Sequence, residues 1–260
     1  MASAPPANQL PLFYNELAPL SSNVHGDWNA KRVESAPFLA AVHAVPLTAE
    51  EFGLASRHYP IVFAAGENPV PLAMMGLNEG VNIFVGDDGK LINDVYVPAY
   101  VRRYPFMLAK LRPESEELSL CFDPTSETVG QFEEGERLFE GAEPSQTTKE
   151  ILGFCEQFEQ AGQRTAAFVK ELMDLKLLID GEVAIQPEGA EQPFVYRGFQ
   201  MISEEKLREL RGDQARKLIQ SGALALIYAH LFSLSLIREI FARQMQLGKV
   251  PLPVPVTQDA

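Results

Sequence analysis

The sequence predicts an α+β fold with a mainly antiparallel sheet, a long amphipathic helix and a buried C-terminal helix. Short apolar runs broken by turn residues crowd residues 55–125 and leave no room for crossover helices, which favours antiparallel pairing. After residue 145, apolar residues recur at three- and four-residue steps, as on one face of a helix. The run 223–237 is almost wholly apolar and is typical of a helix inside a core.

We expect three parts along the chain of 260 residues, which is long enough to bury a sizeable core. Residues 1–36, rich in Pro, Ser and Asn, should form a loosely ordered N-terminal arm. Residues 37–248 should form a single α+β domain that is strand-rich over 55–125 and helix-rich over 145–248. Residues 249–260 alternate Pro with Val and Leu and should form an extended tail.

Strands are predicted where short apolar runs lie between turn residues, and the run 59–64 is rich in β-branched and aromatic residues. Asp88 and Gly89 fit the tight turn of a hairpin, because glycine readily adopts the positive φ that such a turn needs. The early predicted strands and hairpins cover residues 59–64, 71–77, 82–92, 105–111 and 118–122. Residues 181–186 and 193–202 should return to the same sheet.

The helices are predicted from capping residues and apolar spacing. Thr147 and Glu150 have the spacing of a capping box, so the long helix should begin there and end near Leu177. A last helix, 222–247, should be surrounded on most sides and end at Gly248. His230, inside this apolar run, is interpreted as a hydrogen-bonded core histidine.

Charge and cysteine content limit the class of protein. The net charge of −13 repels nucleic acid and anionic lipid, and the longest apolar run has 15 residues where a membrane span needs about 20. We therefore expect neither a nucleic-acid-binding nor a transmembrane protein. Cys121 and Cys155 should be free buried thiols, and the first residues lack a secretory signal pattern, which together favour the cytoplasm.

One aromatic and basic segment, "YVPAYVRRYPF" (96–106), stands out in this acidic chain. A proline at each end predicts two helical turns, with Tyr96, Tyr100 and Tyr104 along one face. The segment is either a surface that holds an anionic ligand or partner, or a half-buried wall whose arginines pair with acidic residues.

Arg102 and Arg103 should point about 100° apart on a helix, so one can stack on tyrosine while the other reaches outward. The predicted ligand- or partner-binding residues are these two arginines, the three tyrosines and His58, which precedes a strand. The partner should be a polypeptide or a small anionic ligand.

Metal, cofactor and catalytic sites are not predicted. None of the four histidines pairs with another at metal-ligand spacing, and "HGD" at 25–27 has no second histidine placed to complete a facial triad. The sequence also lacks a nucleophile elbow and a phosphate-binding loop.

Five runs resemble the bacterial SapC-like family, over roughly residues 40–235: "AVPLTAEEFGLASRHYPIVF", "GVNIFV", "VYVPAYVRRYPF", "GERLF" and "GALALIYAHLFSL". This family is named after a surface-layer-associated protein and differs from the like-named peptide-import permease. The resemblance implies a bacterial protein with a role connected to surface-layer or envelope systems. It supplies no catalytic residues.

Two functions remain open on the sequence alone. The first is a non-catalytic protein that binds a partner or ligand. The second is an enzyme or accessory subunit that acts beside a flavin halogenase or a cupin-like oxygenase, whose genes the family's genes often neighbour. A deep pocket where titratable groups with shifted pKa values converge would favour the enzyme. A shallow apolar surface or an open strand edge would favour the binding protein.

Overall fold

The computed structural model describes residues 10–32, 35–92, 94–112, 117–189 and 191–250. The strands are Ala18–Pro19 (β1), Asn29–Ala30 (β2), Ala44–Pro46 (β3), Ile61–Ala64 (β4), Pro71–Met74 (β5), Phe106–Ala109 (β6), Ser119–Phe122 (β7), Val129–Gly130 (β8), Glu136–Arg137 (β9), Phe139–Glu140 (β10), Glu143–Pro144 (β11), Leu178–Ile185 (β12) and Phe194–Ile202 (β13). The α-helices are Ser22–His25 (α1), Phe52–Ala55 (α2), Ala99–Arg102 (α3), Gln146–Asp174 (α4), Glu204–Arg208 (α5), Gly212–Ser221 (α6), Ala223–Ser233 (α7) and Leu236–Gln246 (α8). Single 3₁₀ turns lie at Pro37–Leu39 and Ala49–Glu51.

The largest sheet has five antiparallel strands in the order β12-β13-β4-β5-β3. The late strand β13 pairs with the early strand β4, with Gln200 opposite Phe63. The two strands predicted near the end of the chain therefore complete the early sheet. The predicted α+β class with antiparallel pairing is confirmed.

The predicted hairpin at 82–92 is much shorter than its sequence suggests. In the described residues its two arms meet at one antiparallel bridge, between Val85 and Leu91. Gly89 has the expected positive φ, +75°, and its N–H donates to Gly86. The turn is thus as predicted, while the arms serve as loops.

The other strands differ from the prediction of one sheet, because β7 lies between β6 and the N-terminal β1 in a separate sheet. Tyr14, 6% exposed, donates its hydroxyl proton to the carbonyl of Phe106, and the N–H of Asn15 donates to Asp123. β2 lies between β8 and β9. Residues 10–32, where a loose arm was expected, form part of the folded structure because their aromatic and backbone groups find partners. Residues 1–9 of that arm and residues 251–260 of the expected extended tail lie outside the described residues.

The long helix α4 connects two apolar cores. Cys155 packs with the strands of the smaller core, around Phe106 and Phe122, whereas Phe168 and Leu172 pack in the larger core beside the five-stranded sheet. Ser145 is the N-cap, and its side chain accepts a hydrogen bond from the N–H of Thr148. The predicted start was thus two residues late, since Thr147 instead donates to Glu136. The helix ends at Asp174, three residues before the predicted end, because Lys176 adopts a φ of +55°.

The predicted helix 222–247 consists of α7 and α8, with a break at residues 234–235. The interpretation of His230 as a core histidine is confirmed. Its Nδ1 lies 2.7 Å from the carbonyl oxygen of Ile61, and its Nε2 accepts a hydrogen bond from the N–H of Ile202. Ser233 accepts from the N–H of Ile61. Gly248 ends α8 with a φ of +66°, as predicted.

The expectation that this helix is surrounded on most sides was wrong. Ala223, Ile227, His230 and Ser233 form one buried face, while Phe232 is 72% exposed. The run is apolar on all sides but packs on one side, so its hydrophobicity did not reveal its orientation. By length and composition Ala223–Gln246 could cross a membrane, although a core helix passes the same test and 33% of its most apolar window is buried here.

Candidate functional site

Residues 96–106 form one helical turn between two prolines. Pro98 lies just outside α3, with a φ of −54° and a ψ of 143°, and the helix ends at Arg102. A cis peptide bond precedes Pro105, and β6 begins at the next residue. The predicted proline-bounded helix is therefore present, with one turn rather than two.

A buried carboxylate holds the start of this segment. Glu51 is 5% exposed, and its Oε1 accepts hydrogen bonds from the hydroxyl of Tyr96 at 3.0 Å and the N–H of Ala99 at 2.6 Å. Its Oε2 accepts from the N–H and the hydroxyl of Thr48, at 2.8 and 2.9 Å. Four donors thus satisfy a buried acid, as buried polar groups require. Glu51 therefore fixes α3 relative to the 3₁₀ turn at Ala49–Glu51.

Arg103 is the structural member of the arginine pair. Its side chain is 6% exposed, and its guanidinium carbon lies 4.4 Å from the ring centre of Tyr100 and 4.3 Å from that of Phe158. Its Nη1 lies 3.5 Å from Glu159, whose pKa is raised by burial and partly lowered again by this arginine. An arginine between two rings stabilises by cation–π attraction as well as by charge. Arg103 therefore connects α3 to α4.

Arg102 is the exposed member of the pair. Its Nε donates to the carbonyl of Val97 at 3.1 Å, and its Nη2 approaches the hydroxyl of Tyr96 at 3.4 Å. Its guanidinium carbon lies 5.2 Å from the ring centre of Phe154. Within the described residues it makes no ion pair, so its remaining N–H groups can bind an anion. The predicted division between one stacked and one exposed arginine is confirmed.

Two cavities meet at Arg102. The larger, of about 550 Å³, is lined by Ser35, Ala36, Phe38, Lys90, Leu91, Val97, Val101, Arg102 and Tyr104. The smaller, of about 340 Å³, is lined by Arg102, Arg103, Phe106, Glu150, Ile151, Phe154 and Cys155. The larger cavity has mostly apolar walls with two cationic side chains, and its lining includes no acid among the described residues. The smaller one contains Glu150 beside its arginines.

The three tyrosines have different surroundings. Tyr100 is buried, whereas Tyr96 and Tyr104 are half-buried. The ring of Tyr104 lies 4.5 Å from that of Phe38 and 5.2 Å from that of Tyr14. Burial raises the pKa of all three hydroxyls, so each keeps its proton at neutral pH. Only Tyr104 lines the larger cavity.

His58 does not join the other predicted site residues. It lies just after α2, half-buried, and lines neither of the two cavities that meet at Arg102. Its ring lies 6.2 Å from that of Tyr59, whose hydroxyl donates to the carbonyl of Tyr96. The neighbouring tyrosine, rather than the histidine, contacts the 96–106 segment.

Sequence reasoning missed three contributors to this site. Phe38 and Lys90 come from separate loops, and their spacing in the sequence gives no sign that they meet. One role of Glu51 could have been predicted from the sequence, because Thr48 and Glu51 have the spacing of a capping box and form that box. Its second role, at the start of α3, depends on tertiary packing.

The cysteines and potential metal ligands are placed apart. Cys121 and Cys155 are free and buried, and burial raises the pKa of their thiols to about 11 and about 12. In the part of the chain that the structure describes, no three His, Cys, Asp or Glu side chains are grouped to hold a metal ion. The thiols pack in or near the cores as neutral groups.

Comparison with known proteins identifies the family. A model of the SapC family matches residues 20–240. The chain belongs to the SapC family. The match includes the whole 96–106 segment and all of α4 and α7. Neither the curated proteins nor the solved structures gave a match.

Proposed function

We propose that this SapC-family protein is a non-catalytic binding protein that holds a small anionic ligand in the larger cavity. The ligand's apolar body lies against Phe38, Leu91 and Val101, and its anionic group meets Arg102. The observation that carries this proposal is the exposed guanidinium of Arg102, which makes no ion pair within the described residues and lies at the boundary of an apolar cavity.

The size and charge of the cavity support a small ligand. Its volume of about 550 Å³ lies within the range of small-molecule sites, roughly 300–1,000 Å³. Lys90 supplies a second cation in a chain whose net charge is −13. A guanidinium binds a carboxylate through two parallel hydrogen bonds, so a carboxylate with an apolar chain fits this lining well.

The placement of the titratable groups favours binding over catalysis. Burial lowers the pKa of His230 to about 4, but both of its ring nitrogens are engaged by backbone groups at the sheet. Glu159, with a raised pKa, lies beside Arg103 and not in the lining of the larger cavity. The groups that an enzyme would bring together therefore lie in different parts of the fold.

The cellular setting is part of the proposal. We infer a cytoplasmic protein connected to surface-layer or envelope systems, on the basis of its family and its acidic composition with two free cysteines. Fractionation of the bacterium that makes the protein would test this setting separately from ligand binding.

The ligand class can be tested with octanoate and octanol, which share a chain but differ in charge. Octanoate should raise the melting temperature, since a ligand at about 100 times its Kd stabilises the folded state by about 2.7 kcal/mol. Octanol should produce a much smaller shift, because it cannot pair with Arg102. Equal shifts for the two compounds, or none for octanoate, would contradict an anion site.

The position of the site can be tested by filling the cavity. Leu91→Trp places a large side chain in the cavity lining and should abolish the octanoate shift. Leu111→Trp is the matched control, because Leu111 is 54% exposed and does not line the cavity. A normal octanoate response in Leu91→Trp would place the ligand elsewhere.

A further inference from the structure

The outward face of α7 is apolar. Phe232 is 72% exposed and Tyr228 is 39% exposed, and their rings lie 5.7 Å apart on successive turns. Ala225, one turn earlier, is exposed as well. Aromatic side chains exposed side by side are typical of protein interfaces.

Two helices that pack against α7 each carry an exposed apolar side chain. α6 contributes Ile219, which is 63% exposed, and α2 contributes Leu54, which is 50% exposed. α7 carries no Asp, Glu, Lys or Arg, and its one histidine is buried. We define the α7 face as Leu54, Ile219, Ala225, Tyr228 and Phe232.

We propose that the α7 face binds a second copy of this chain across a two-fold axis. The exposed parts of these side chains supply on the order of 400 Å² of apolar surface, about half of the roughly 800 Å² that each partner buries in a standard interface. This apolar share of about one half is close to the apolar fraction of protein interfaces, which is about 60%. The half-buried leucines along α7 can supply part of the remainder.

Charge favours a second copy at this face over pairing along the edge strand β12. β12 is an edge strand, but its exposed Asp180 would bring like charges together in a symmetric strand pair, and its Glu182 is already paired with Arg197. Two chains of net charge −13 repel each other, and α7 offers a surface without charged side chains where they can meet. The same net charge opposes binding of α7 to an anionic lipid surface.

Oligomeric state measured by light scattering during gel filtration tests the proposal. The 260-residue chain should have the mass of two chains at about 50 µM, a concentration well above the Kd of a micromolar interface. Phe232→Glu should give the mass of one chain with an unchanged circular dichroism spectrum. Val24→Glu is the matched control, because Val24 is 70% exposed on α1, and it should remain a dimer.

Cross-linking tests whether the dimer uses this face. Both native cysteines are buried, so Ala225→Cys introduces the reactive thiol, and a short bismaleimide should join two chains at this position. Val24→Cys should remain uncross-linked. A monomeric wild-type chain, a Phe232→Glu dimer or equal cross-linking of both cysteine variants would overturn the proposal. Monomeric protein that floats with neutral phospholipid vesicles would also overturn it and favour a membrane contact.

Discussion

Arg102 and Arg103 are neighbours in the sequence, yet their side chains lie in different environments. Helical geometry predicts that they diverge, and the structure adds which one is buried. Arg103 faces α4, where Phe158 and Glu159 supply a ring and a carboxylate, so its charge is compensated on burial. Arg102 faces the cavities. The sequence alone could not assign these roles, because Phe158 lies more than 50 residues away.

His230 should make folding stability depend on pH. Burial lowers its pKa from 6.5 to about 4, so below pH 6.5 the unfolded chain binds a proton that the folded chain excludes. The free energy of unfolding should therefore fall by roughly 1 kcal/mol between pH 7.5 and pH 5.5 on account of this group. Urea unfolding at both pH values measures the change.

His230→Gln removes the titrating group and is the comparison that isolates this effect. The variant should be less stable at pH 7.5 but should lose less stability than the wild type on going to pH 5.5. His25, whose pKa burial also lowers, remains in both proteins, so its contribution cancels in the difference. An equal pH dependence in the two proteins would show that His230 titrates normally in the fold.

At the scale of elements, spacing predicted which segments are helices and strands better than it predicted their limits and orientation. The strands β4, β12 and β13 follow from β-branched and aromatic residues, and β5 follows from a short apolar run after a turn. The orientation of α7 could not be predicted, because apolar residues surround the helix and give no amphipathic signal. The buried face is instead marked by its polar residues, His230 and Ser233, which bond to strand β4.

The N-cap of α4 lies at Ser145, two residues before the position predicted from the sequence. Two residues near the start can cap, and only packing decides between them: Ser145 bonds to the N–H of Thr148, while Thr147 turns to Glu136. Ser145→Ala should therefore lower the free energy of unfolding by about 1 kcal/mol. Thr147→Ala, the matched control, should change it by less than about 0.5 kcal/mol, as exposed substitutions do. Thermal unfolding that ranks the two in reverse would support the capping box predicted from the sequence.

At the scale of the whole molecule, segments distant in sequence form one candidate site. The larger cavity is lined by residues from three segments, 35–38, 90–91 and 97–104, and Glu51 holds α3 beside it. The aromatic and basic composition of residues 96–106 was visible in the sequence. The cavity was not, because each of its walls has an ordinary composition and only the fold brings the walls together.

In the proposed function, the two neighbouring arginines have separate roles: Arg103 stabilises the fold, and Arg102 binds the ligand. Arg103→Ala removes the contacts to Tyr100, Phe158 and Glu159 and should lower the melting temperature, since it leaves a buried gap and an unpaired carboxylate. Arg102→Ala removes an exposed side chain and should leave the melting temperature nearly unchanged. Arg208→Ala, on the exposed surface of α5, controls for the loss of one positive charge.

The most direct test is the affinity for octanoate, measured by calorimetry on these three variants together with their melting temperatures. The account predicts that Arg102→Ala loses about tenfold or more in affinity, equivalent to about 1.4 kcal/mol, at normal stability. Arg103→Ala should lose stability yet bind octanoate when folded at low temperature, and Arg208→Ala should match the wild type in both. Unchanged octanoate affinity in Arg102→Ala would contradict the account and leave the arginine pair as solvated surface and structural support.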